Sequence, residues 1–293
     1  MSPEVPTLEA FLAAPVEQVR AVAPATLVWM VEGTRRSAAL AGVDLRTEAY
    51  ARWTLDRMNE CVRVLFHHGV RHVFTPYLTP SHFKELTLRY RERLIDWTGL
   101  IVTEPESAAL YVKNGWRVRL LGDASMPALR PHAERAVALM PRGEHTLWCS
   151  LVAEPGDSWN EVLEAAARSG ARTQGEAIRA LYGEDIPPAT LMIGFGKPMV
   201  TPELVPPLII GKMDCYWTQR PGYRITEREL RTVIHDHVYV RRTWRQDKTG
   251  RAESSVRFRR AWEEGPTLGL GMHLGPFWYP LPFQVPQDEG TGG

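Results

Sequence analysis

The sequence has few cysteines, and their arrangement suggests neither disulfide bridges nor a metal site. Its 293 residues contain three, at Cys61, Cys149 and Cys215, and none of them forms a C-x-x-C pair. Three cysteines this far apart, each set in an apolar stretch, are typical of free thiols in a reducing compartment. We therefore expect a cytoplasmic protein that folds without a covalent staple.

A basic leader and long apolar runs are also absent. The amino-terminal stretch MSPEVPTLEAFLAAPVEQ carries acidic residues early and has no basic segment followed by an apolar one, so we expect no signal peptide. No stretch is long and uncharged enough to span a bilayer. These absences predict a chain without stable membrane insertion.

The chain has no excess of charge of either sign. Lys and Arg total 35, Asp and Glu total 34, and the formal net charge is +1. Nucleic-acid-binding proteins usually carry a basic excess, so the balance disfavours that class of partner. Hydrophobic residues make up 44% and charged residues 24%, which excludes an intrinsically disordered chain. A local cluster of cations that binds an anion is still compatible with these totals.

Short apolar segments alternate with longer stretches of helical periodicity. The predicted strands are 26–31, 71–75, 116–121, 147–152, 191–195 and 214–217, and the predicted helices are 47–68, 82–96, 158–169, 174–182 and 227–241. This alternation predicts an α/β fold with a mainly parallel six-stranded sheet flanked by helices.

The chain has no internal repeat and no Gly/Ser linker, so we expect one domain over residues 1–283. Residues 284–293 are polar and glycine-rich, which predicts a disordered tail. The polar stretch 246–255 predicts a mobile loop, and the Gly, Pro and aromatic residues from Gly265 onward predict a packed, extended segment.

The most informative segment for chemistry follows the first predicted strand. The stretch LVWMVEGTRRSAAL places Glu32, Gly33, Thr34, Arg35 and Arg36 after a strand end, where open parallel sheets bind ligands. A glycine turn and two adjacent arginines favour a phosphate, and a carboxylate beside a phosphate favours a bridging divalent cation. The pattern predicts a Mg²⁺–diphosphate site. A strand-to-helix turn with two solvated arginines explains the spacing equally well.

The segment MVEGTRRSA resembles the strand-and-loop motif of cis-prenyltransferases, in which an aspartate followed by glycine binds an allylic diphosphate. The similarity continues through GWRVRLLGDASMPAL, and it is closest to the tuberculosinol-forming branch of that family, which has the double arginine. YARWTLDRMNECVRVLFHHGV, IGFGKPMVTPELVPPLIIGK and ITERELRTVIHDHVYVRR also resemble that branch. The resemblance implies a cis-prenyltransferase-like fold and a diterpene synthase acting on a bicyclic C20 diphosphate of the labdane or copalyl kind.

The resemblance also implies roles for individual residues. Arg35 and Arg36 match diphosphate-binding arginines, with Gly33 and Thr34 as further donors. Glu32 stands where the family has a metal-binding, catalytic aspartate, so it is the implied Mg²⁺ ligand. Tyr50 matches a catalytic tyrosine with one residue intervening, although its place on the apolar face of a helix also fits a core residue. The implied reaction is loss of diphosphate, followed by deprotonation to a diene or triene or capture of water to give an alcohol.

Some segments depart from the chain-elongating members of the family. Residues 193–203 keep only Lys197 as a cation where those enzymes bind isopentenyl diphosphate, and TPYLTPSHF replaces their loop after the second strand. We therefore expect ionisation of one diphosphate without chain elongation. The aspartate-rich DDxxD and DxDD patterns of all-helical terpene synthases are absent. Prenyl transfer to an acceptor such as a nucleoside and a role as a non-catalytic partner subunit are the alternatives, and the family likeness implies a homodimer.

Two further patterns favour structural roles. The run His235-Asp236-His237 has metal-binding residue types, but neighbouring helical residues point in different directions, so we expect helix packing and a surface histidine. Five tryptophans, Trp29, Trp53, Trp116, Trp148 and Trp217, lie in apolar elements and are expected in the core, where some could line a hydrocarbon pocket.

Overall fold

A six-stranded sheet forms the centre of the protein. A computed structural model describes residues 5–84, 88–196, 199–241, 249–265, 267 and 269–280. The strands are β1 (Thr26–Met30), β2 (His72–Leu78), β3 (Trp116–Leu121), β4 (His145–Leu151), β5 (Ala189–Phe195) and β6 (Ile210–Thr218). They follow the order β3-β4-β2-β1-β5-β6, and every pairing in this sheet is parallel. The predicted fold class is confirmed.

Burial along the strands explains why these segments form a parallel sheet. All five residues of β1 are buried, and β2 and β4 are buried along nearly all of their length. Strands covered on both faces read as continuous apolar runs, as they do here. The two edge strands differ: β3 alternates between buried and half-buried residues, and β6 has no buried residue.

Helices cover both faces of the sheet. On one face, Leu65 of α4 (Glu48–His67) and Leu230 of α11 (Glu227–His235) belong to the larger core cluster. On the other, Ile178 of α10 (Gln174–Tyr182) belongs to the smaller one. The remaining helices are α1 (Leu8–Ala13), α2 (Val16–Val22), α3 (Thr34–Leu40), α5 (Pro80–Phe83), α6 (Leu88–Thr103), α7 (Pro105–Lys113), α8 (Arg130–Leu139), α9 (Asp157–Ser169), α12 (Arg251–Val256) and α13 (Arg259–Glu263).

Two predicted helices have wrong boundaries. In place of one helix at 82–96, the chain forms the short helix α5 and then α6, which continues to Thr103. Gly99 lies within α6 and packs against His132, whose ring a Cβ at this position would approach to 2.6 Å. The predicted helix at 227–241 is α-helical only to His235 and continues as a π-helical turn, in which the Arg241 amide donates to the Asp236 carbonyl.

The predicted helices did not include α1, α2, α3, α7, α8, α12 or α13. Pattern matching missed α7 even though its start carries two ordinary signals. The Glu104 carboxylate accepts a hydrogen bond from the Ser107 amide, and Pro105 occupies the first helical position. Helices α1 and α2, of six and seven residues, have too few turns for apolar periodicity to be read reliably.

The carboxyl-terminal expectations are partly wrong. Residues Arg251–Val256 form α12, so most of the stretch predicted as a mobile loop is helical where the structure describes it, and 246–248 lie outside the described residues. The tail is extended, as a hairpin of β7 (Gly271–Leu274) and β8 (Phe277–Pro280), but β7 is exposed along its length rather than packed. The predicted disordered tail at 284–293 lies outside the described residues.

The strand order places a crevice near the centre of the sheet. Strands β1 and β5 are neighbours, and the chain leaves β1 toward β2 and leaves β5 toward β6, on opposite sides. Ligands of open parallel sheets bind beyond the carboxyl ends of strands at such a point. Among the described helices, none is long and apolar enough to cross a membrane.

Candidate active site

A cavity of about 710 Å³ opens beyond the carboxyl ends of β1 and β2. Helices α4 and α6 form its outer wall, and segments that follow β5 and β6 complete it. The lining residues are Val31, Glu32, Gly33, Thr34, Arg35, Arg36, Tyr50, Ala51, Thr54, Pro76, Tyr77, Leu78, Thr79, Ser81, His82, Leu94, Trp97, Thr98, Met199, Glu203, Leu204 and Tyr223. All six residues singled out as candidate site residues from the sequence border this one cavity.

The turn after β1 gathers the charged residues. Gly33 has φ +74°, a left-handed conformation that glycine adopts without strain, and α3 starts at the next residue. A Cβ at residue 33 would lie 2.8 Å from an Arg36 guanidinium nitrogen and 2.9 Å from Pro221 Cβ. The Gly222 amide donates to the Glu32 carbonyl at 2.7 Å. Glycine is thus required both for the turn and for the close approach of Arg36 and the loop after β6.

The Glu32 side chain lies against the end of β5. A Cβ at Gly196, which has φ +92°, would be 2.8 Å from Glu32 Oε2. The absence of a side chain at residue 196 therefore makes room for this carboxylate. Glu203 borders the same cavity, so a second carboxylate shares it.

Tyr50 combines the two interpretations that its sequence position allowed. It is buried, as a core residue would be, and it also borders the cavity. Its hydroxyl shares a 2.8 Å hydrogen bond with Thr34 Oγ1, and its ring meets Trp97 edge-on at 5.7 Å. Burial raises the pKa of Tyr50 above its ordinary value, while the Thr34 hydrogen bond and the Arg35 charge lower it. Tyr50 is therefore a neutral phenol near neutral pH.

The end of β2 and the segment after it were not predicted as part of the site. Tyr77, Thr79, Ser81 and His82 all border the cavity, although sequence comparison noted this stretch only as a departure from chain-elongating enzymes. Burial first, and then the Arg35 charge, lowers the pKa of His82 to about 4. Burial also raises the pKa of Tyr77. The available signal was the position of these residues directly after a buried strand.

Comparison with known proteins places the chain among diterpene synthases. It is 43% identical over 276 residues to (+)-kolavelool synthase of Herpetosiphon aurantiacus, covering 94% of this chain and 96% of that protein. It is 26% identical over 242 residues to tuberculosinyl adenosine transferase of Mycobacterium tuberculosis, covering 77% of this chain and 79% of that protein. No protein-family model matches.

The chain belongs to the kolavelool synthase family of diterpene synthases. Its relatives are terpene synthase and prenyl transferase enzymes, so the alternative of a non-catalytic partner subunit is disfavoured.

Solved structures support the fold of this diterpene synthase. Lavandulyl diphosphate synthase from Lavandula x intermedia, in complex with dimethylallyl diphosphate, matches with a TM-score of 0.59 and 14% identity, over 76% of this chain and 97% of that one. A probable undecaprenyl diphosphate synthase from Campylobacter jejuni matches with a TM-score of 0.53 and 14% identity, over 75% and 97%. At this identity the likeness concerns the fold alone, and it confirms the expected cis-prenyltransferase-like architecture.

The residues of the diterpene synthase cavity fit a magnesium ion that is shared with a substrate. Among the described residues, no cluster of three or more His, Cys, Asp or Glu side chains could hold a metal by itself. Mg²⁺, however, commonly binds to one or two carboxylates together with substrate phosphates. The carboxylate of Glu32, accommodated by Gly196, and that of Glu203 meet this requirement.

Two other sequence patterns have structural roles. His235 Nε2 bonds to the Pro6 carbonyl at 2.8 Å, and His237 Nδ1 bonds to Asp214 at 2.7 Å. The expected helix packing is confirmed for His235, but the expected surface histidine is wrong, because His237 is half-buried against Asp214. Trp29, Trp116 and Trp148 are buried core residues, whereas Trp53 and Trp217 are half-buried. None of these five borders the cavity. The tryptophan that does is Trp97 of α6.

Proposed function

We propose that this diterpene synthase ionises one bicyclic C20 allylic diphosphate of the labdane or copalyl kind. The supporting observation is the composition of the cavity, where Arg35, Arg36 and Glu32 lie at one wall and aromatic and aliphatic side chains form much of the rest. Its volume of about 710 Å³ lies in the range of roughly 300–1,000 Å³ that small-molecule sites occupy. A diphosphate joined to a ring system needs a charged wall for its phosphates and an apolar wall for its rings.

The charged wall would stabilise the departing diphosphate. Negative charge develops on that group as the carbon–oxygen bond breaks, and preorganised arginines favour this transition state over the ground state. Arg35 and Arg36 would bind its oxygens, with Thr34 Oγ1 and the Gly33 amide as further donors. Glu32 would hold Mg²⁺, which when bound supplies positive charge to the leaving group.

The apolar wall would hold the carbocation that remains. The aromatic rings of Tyr50, Tyr77, Trp97 and Tyr223 border the cavity, and their faces attract cations. Because burial raises the pKa of Tyr50, its role would be that of a phenol whose ring stabilises charge. Its hydroxyl oxygen would accept the proton that the cation loses while giving its own proton to Thr34 Oγ1, and the Thr34 hydroxyl would pass its proton to the released diphosphate, which is the final base. The cation then loses a proton to give a diene or triene, or captures water to give an alcohol.

The cavity supports ionisation of one diphosphate better than chain elongation, which needs a second diphosphate site. Arg35 and Arg36 are the only arginines or lysines among the described residues that line it. Lys197, the cation that the sequence retains in the corresponding segment, lies outside the described residues.

Transfer of the prenyl group to an acceptor is the second candidate function. It is favoured by the similarity to a tuberculosinyl adenosine transferase, at 26% identity. Both functions start from the same ionisation and differ only in what quenches the cation. Adding a nucleoside to the reaction distinguishes them, because a prenylated nucleoside forms only by transfer.

We also infer a homodimer. The edge strand β6 presents half-buried Tyr216 and Trp217 beside a groove of about 540 Å³, which Phe195 and Ile225 also line. Arg220, Arg224, Arg228 and Glu229 line the same groove. An edge strand with aromatic residues beside charged ones is a common place for a second chain to bind. Sedimentation equilibrium tests the inference: a dimer mass supports it, and a monomer at micromolar concentration contradicts it.

A product assay tests the proposed function. Purified protein with Mg²⁺ receives geranyl, farnesyl, geranylgeranyl or copalyl diphosphate, with and without isopentenyl diphosphate, and released pyrophosphate and organic products are measured together. We expect a diterpene hydrocarbon or alcohol from the bicyclic C20 substrate alone. A longer prenyl chain that forms only with isopentenyl diphosphate would overturn the proposal.

A further inference from the structure

His82 is a cavity residue to which neither the sequence comparison nor the proposed reaction assigns a role. It borders the cavity at the end of β2, in the four-residue helix α5. Arg35 lies close enough for its charge to act on the imidazole. The ring is therefore near the charged wall, where the diphosphate would bind.

The hydrogen bond of the ring to the backbone determines its tautomer. The Thr79 amide donates to His82 Nδ1 at 3.0 Å, and a backbone N–H can only donate. Nδ1 is therefore unprotonated. Burial and the Arg35 charge keep the imidazole neutral at neutral pH, so its one ring proton is on Nε2. Any hydrogen bond from this ring to a molecule in the cavity is donated by Nε2–H.

A neutral donor suits a position beside Arg35. A second cation there would repel the guanidinium, whereas a neutral N–H can approach the same anion without that cost. The position of the ring is also fixed, because Thr79 is buried and its amide holds Nδ1 at the start of α5. A hydrocarbon ring system has no hydrogen-bond acceptor. On a C20 diphosphate, all strong acceptors are on the phosphate groups.

We propose that His82 is a diphosphate-binding residue that donates through Nε2–H to the same group that Arg35 binds. This inference rests on the proposed function, since it assumes a prenyl diphosphate in the cavity. A hydrogen bond to a charged phosphate oxygen is stronger than one between neutral groups. Its loss should therefore weaken binding of the anion itself, apart from any effect on the cation.

Nuclear magnetic resonance tests the tautomer. Protein labelled with ¹⁵N-histidine is measured at pH 7, and the signals of His82 are assigned by their loss in His82→Gln. We expect a neutral ring with an unprotonated Nδ1 and a protonated Nε2. A proton on Nδ1 would overturn the proposal, because Nε2 would then be unable to donate.

Calorimetric titration with inorganic pyrophosphate and Mg²⁺ tests the binding role without a turnover assay. We expect His82→Phe to bind pyrophosphate about tenfold more weakly or worse, and His82→Gln, whose amide can still donate, to stay within about threefold of the wild type. His67→Phe is the control, since His67 is exposed at the far end of α4. Melting temperatures show whether each variant folds. If the phenylalanine variant does not, His82→Met, which also lacks a hydrogen-bond donor, takes its place with the same expected loss.

The outcomes separate this inference from the proposed function. If the wild type binds no pyrophosphate, both fail. If the wild type binds it and His82→Phe binds it equally well, only the inference about His82 fails. An unchanged pyrophosphate affinity together with an altered ratio of alcohol to hydrocarbon would mean that His82 positions the water that captures the cation. That result would overturn the diphosphate-binding role.

Discussion

Two regions at the same edge of the sheet differ in both charge and space. Beyond β1 and β2 the chain encloses about 710 Å³ and brings Arg35 and Arg36 to its wall. Beyond β3 and β4 it encloses only about 20 Å³, where Glu161 borders the pocket and Asp123, Asp157 and Glu164 act on it electrostatically. Parallel strands bring polar groups together at both places. Only the first has room for a ligand.

The packing of the surrounding helices explains the difference. At the closed region, Val162 of α9 and Tyr182 of α10 fill the space over the strand ends. At the open region, α4 and α6 contribute Tyr50 and Trp97 to the wall of a cavity instead. Burial favours the neutral form in both regions, since it raises the pKa of Glu161 to about 7 and lowers that of His82 to about 4. A strand end with charged residues is therefore not sufficient for an active site.

The largest expected effect comes from removing a cation of the open region. Arg35→Ala and Arg36→Ala should each lower kcat/KM by about 10²–10³, because a group that stabilises the leaving diphosphate contributes about 2.7–4 kcal/mol to the transition state. Arg130→Ala is the control, because Arg130 lies near Asp123 in the closed region, and it should change kcat/KM less than threefold. Steady-state kinetics measure kcat/KM for all three variants. Equal losses in the three variants would remove the distinction between the two regions.

A pH-dependent stability should mark the closed region. The folded pKa of Glu161, about 7, lies above its ordinary value of 4.5, so the folded protein holds this proton more tightly than the unfolded chain does. Its effect on stability is therefore fully favourable below pH 4.5 and is lost as the pH rises through 7. We expect Glu161→Gln to raise the free energy of unfolding by about 2 kcal/mol at pH 8 and hardly at pH 4.5.

Urea denaturation at a series of pH values measures this effect. Glu17→Gln provides the control, because Glu17 is exposed on α2 and is not among the charges that act on Glu161, so its substitution should leave the pH profile nearly unchanged. A profile for Glu161→Gln that runs parallel to the wild type would mean that this carboxyl ionises normally.

Matched tyrosine variants compare the two regions directly. Tyr50→Phe removes the hydroxyl that bonds to Thr34 and should lower kcat by about tenfold while the ring stays in place. Tyr182→Phe, a buried tyrosine of the closed region, should leave kcat within about twofold. Product analysis and kcat are measured for both. If Tyr50→Phe is as active as Tyr182→Phe, Tyr50 is only a core residue.

The smallest expected effect concerns the space for Glu32. Gly196→Ala and Gly170→Ala both place a side chain at positive φ, +92° and +70°, and each should cost about 1 kcal/mol of stability. Only the Cβ at residue 196 approaches Glu32, since nothing lies within 4 Å of the one at residue 170. We therefore expect a severalfold loss of kcat/KM in Gly196→Ala alone. Matching losses in both variants would attribute the effect to backbone strain.

The elements that were predicted well are those whose own residues specify them. Helix α10 has its predicted ends at Gln174 and Tyr182, because a capping box at Thr173 starts it and Gly183 ends it. Every predicted strand overlaps a real one. For β1, β2 and β4 the reason is that a strand buried on both faces needs a continuous apolar run. The end of helix α6 was misplaced: the helix runs on past Gly99, which packs against His132 of α8, a contact between segments distant in sequence.

The sequence by itself determined the parallel sheet and the position of Glu32, Gly33, Thr34, Arg35 and Arg36 after its first strand, because apolar runs and turn residues are local signals. Only the tertiary structure decided what completes the cavity. Tyr77 lies near the end of β2 and His82 follows that strand, Trp97 lies on α6, and Tyr223 follows β6. These residues meet because the strand order brings β2 and β5 to either side of β1, and no pattern within a single segment encodes that order. The closed region also shows that sequence patterns do not predict a cavity, since packing rather than residue type decided that it has no room for a ligand.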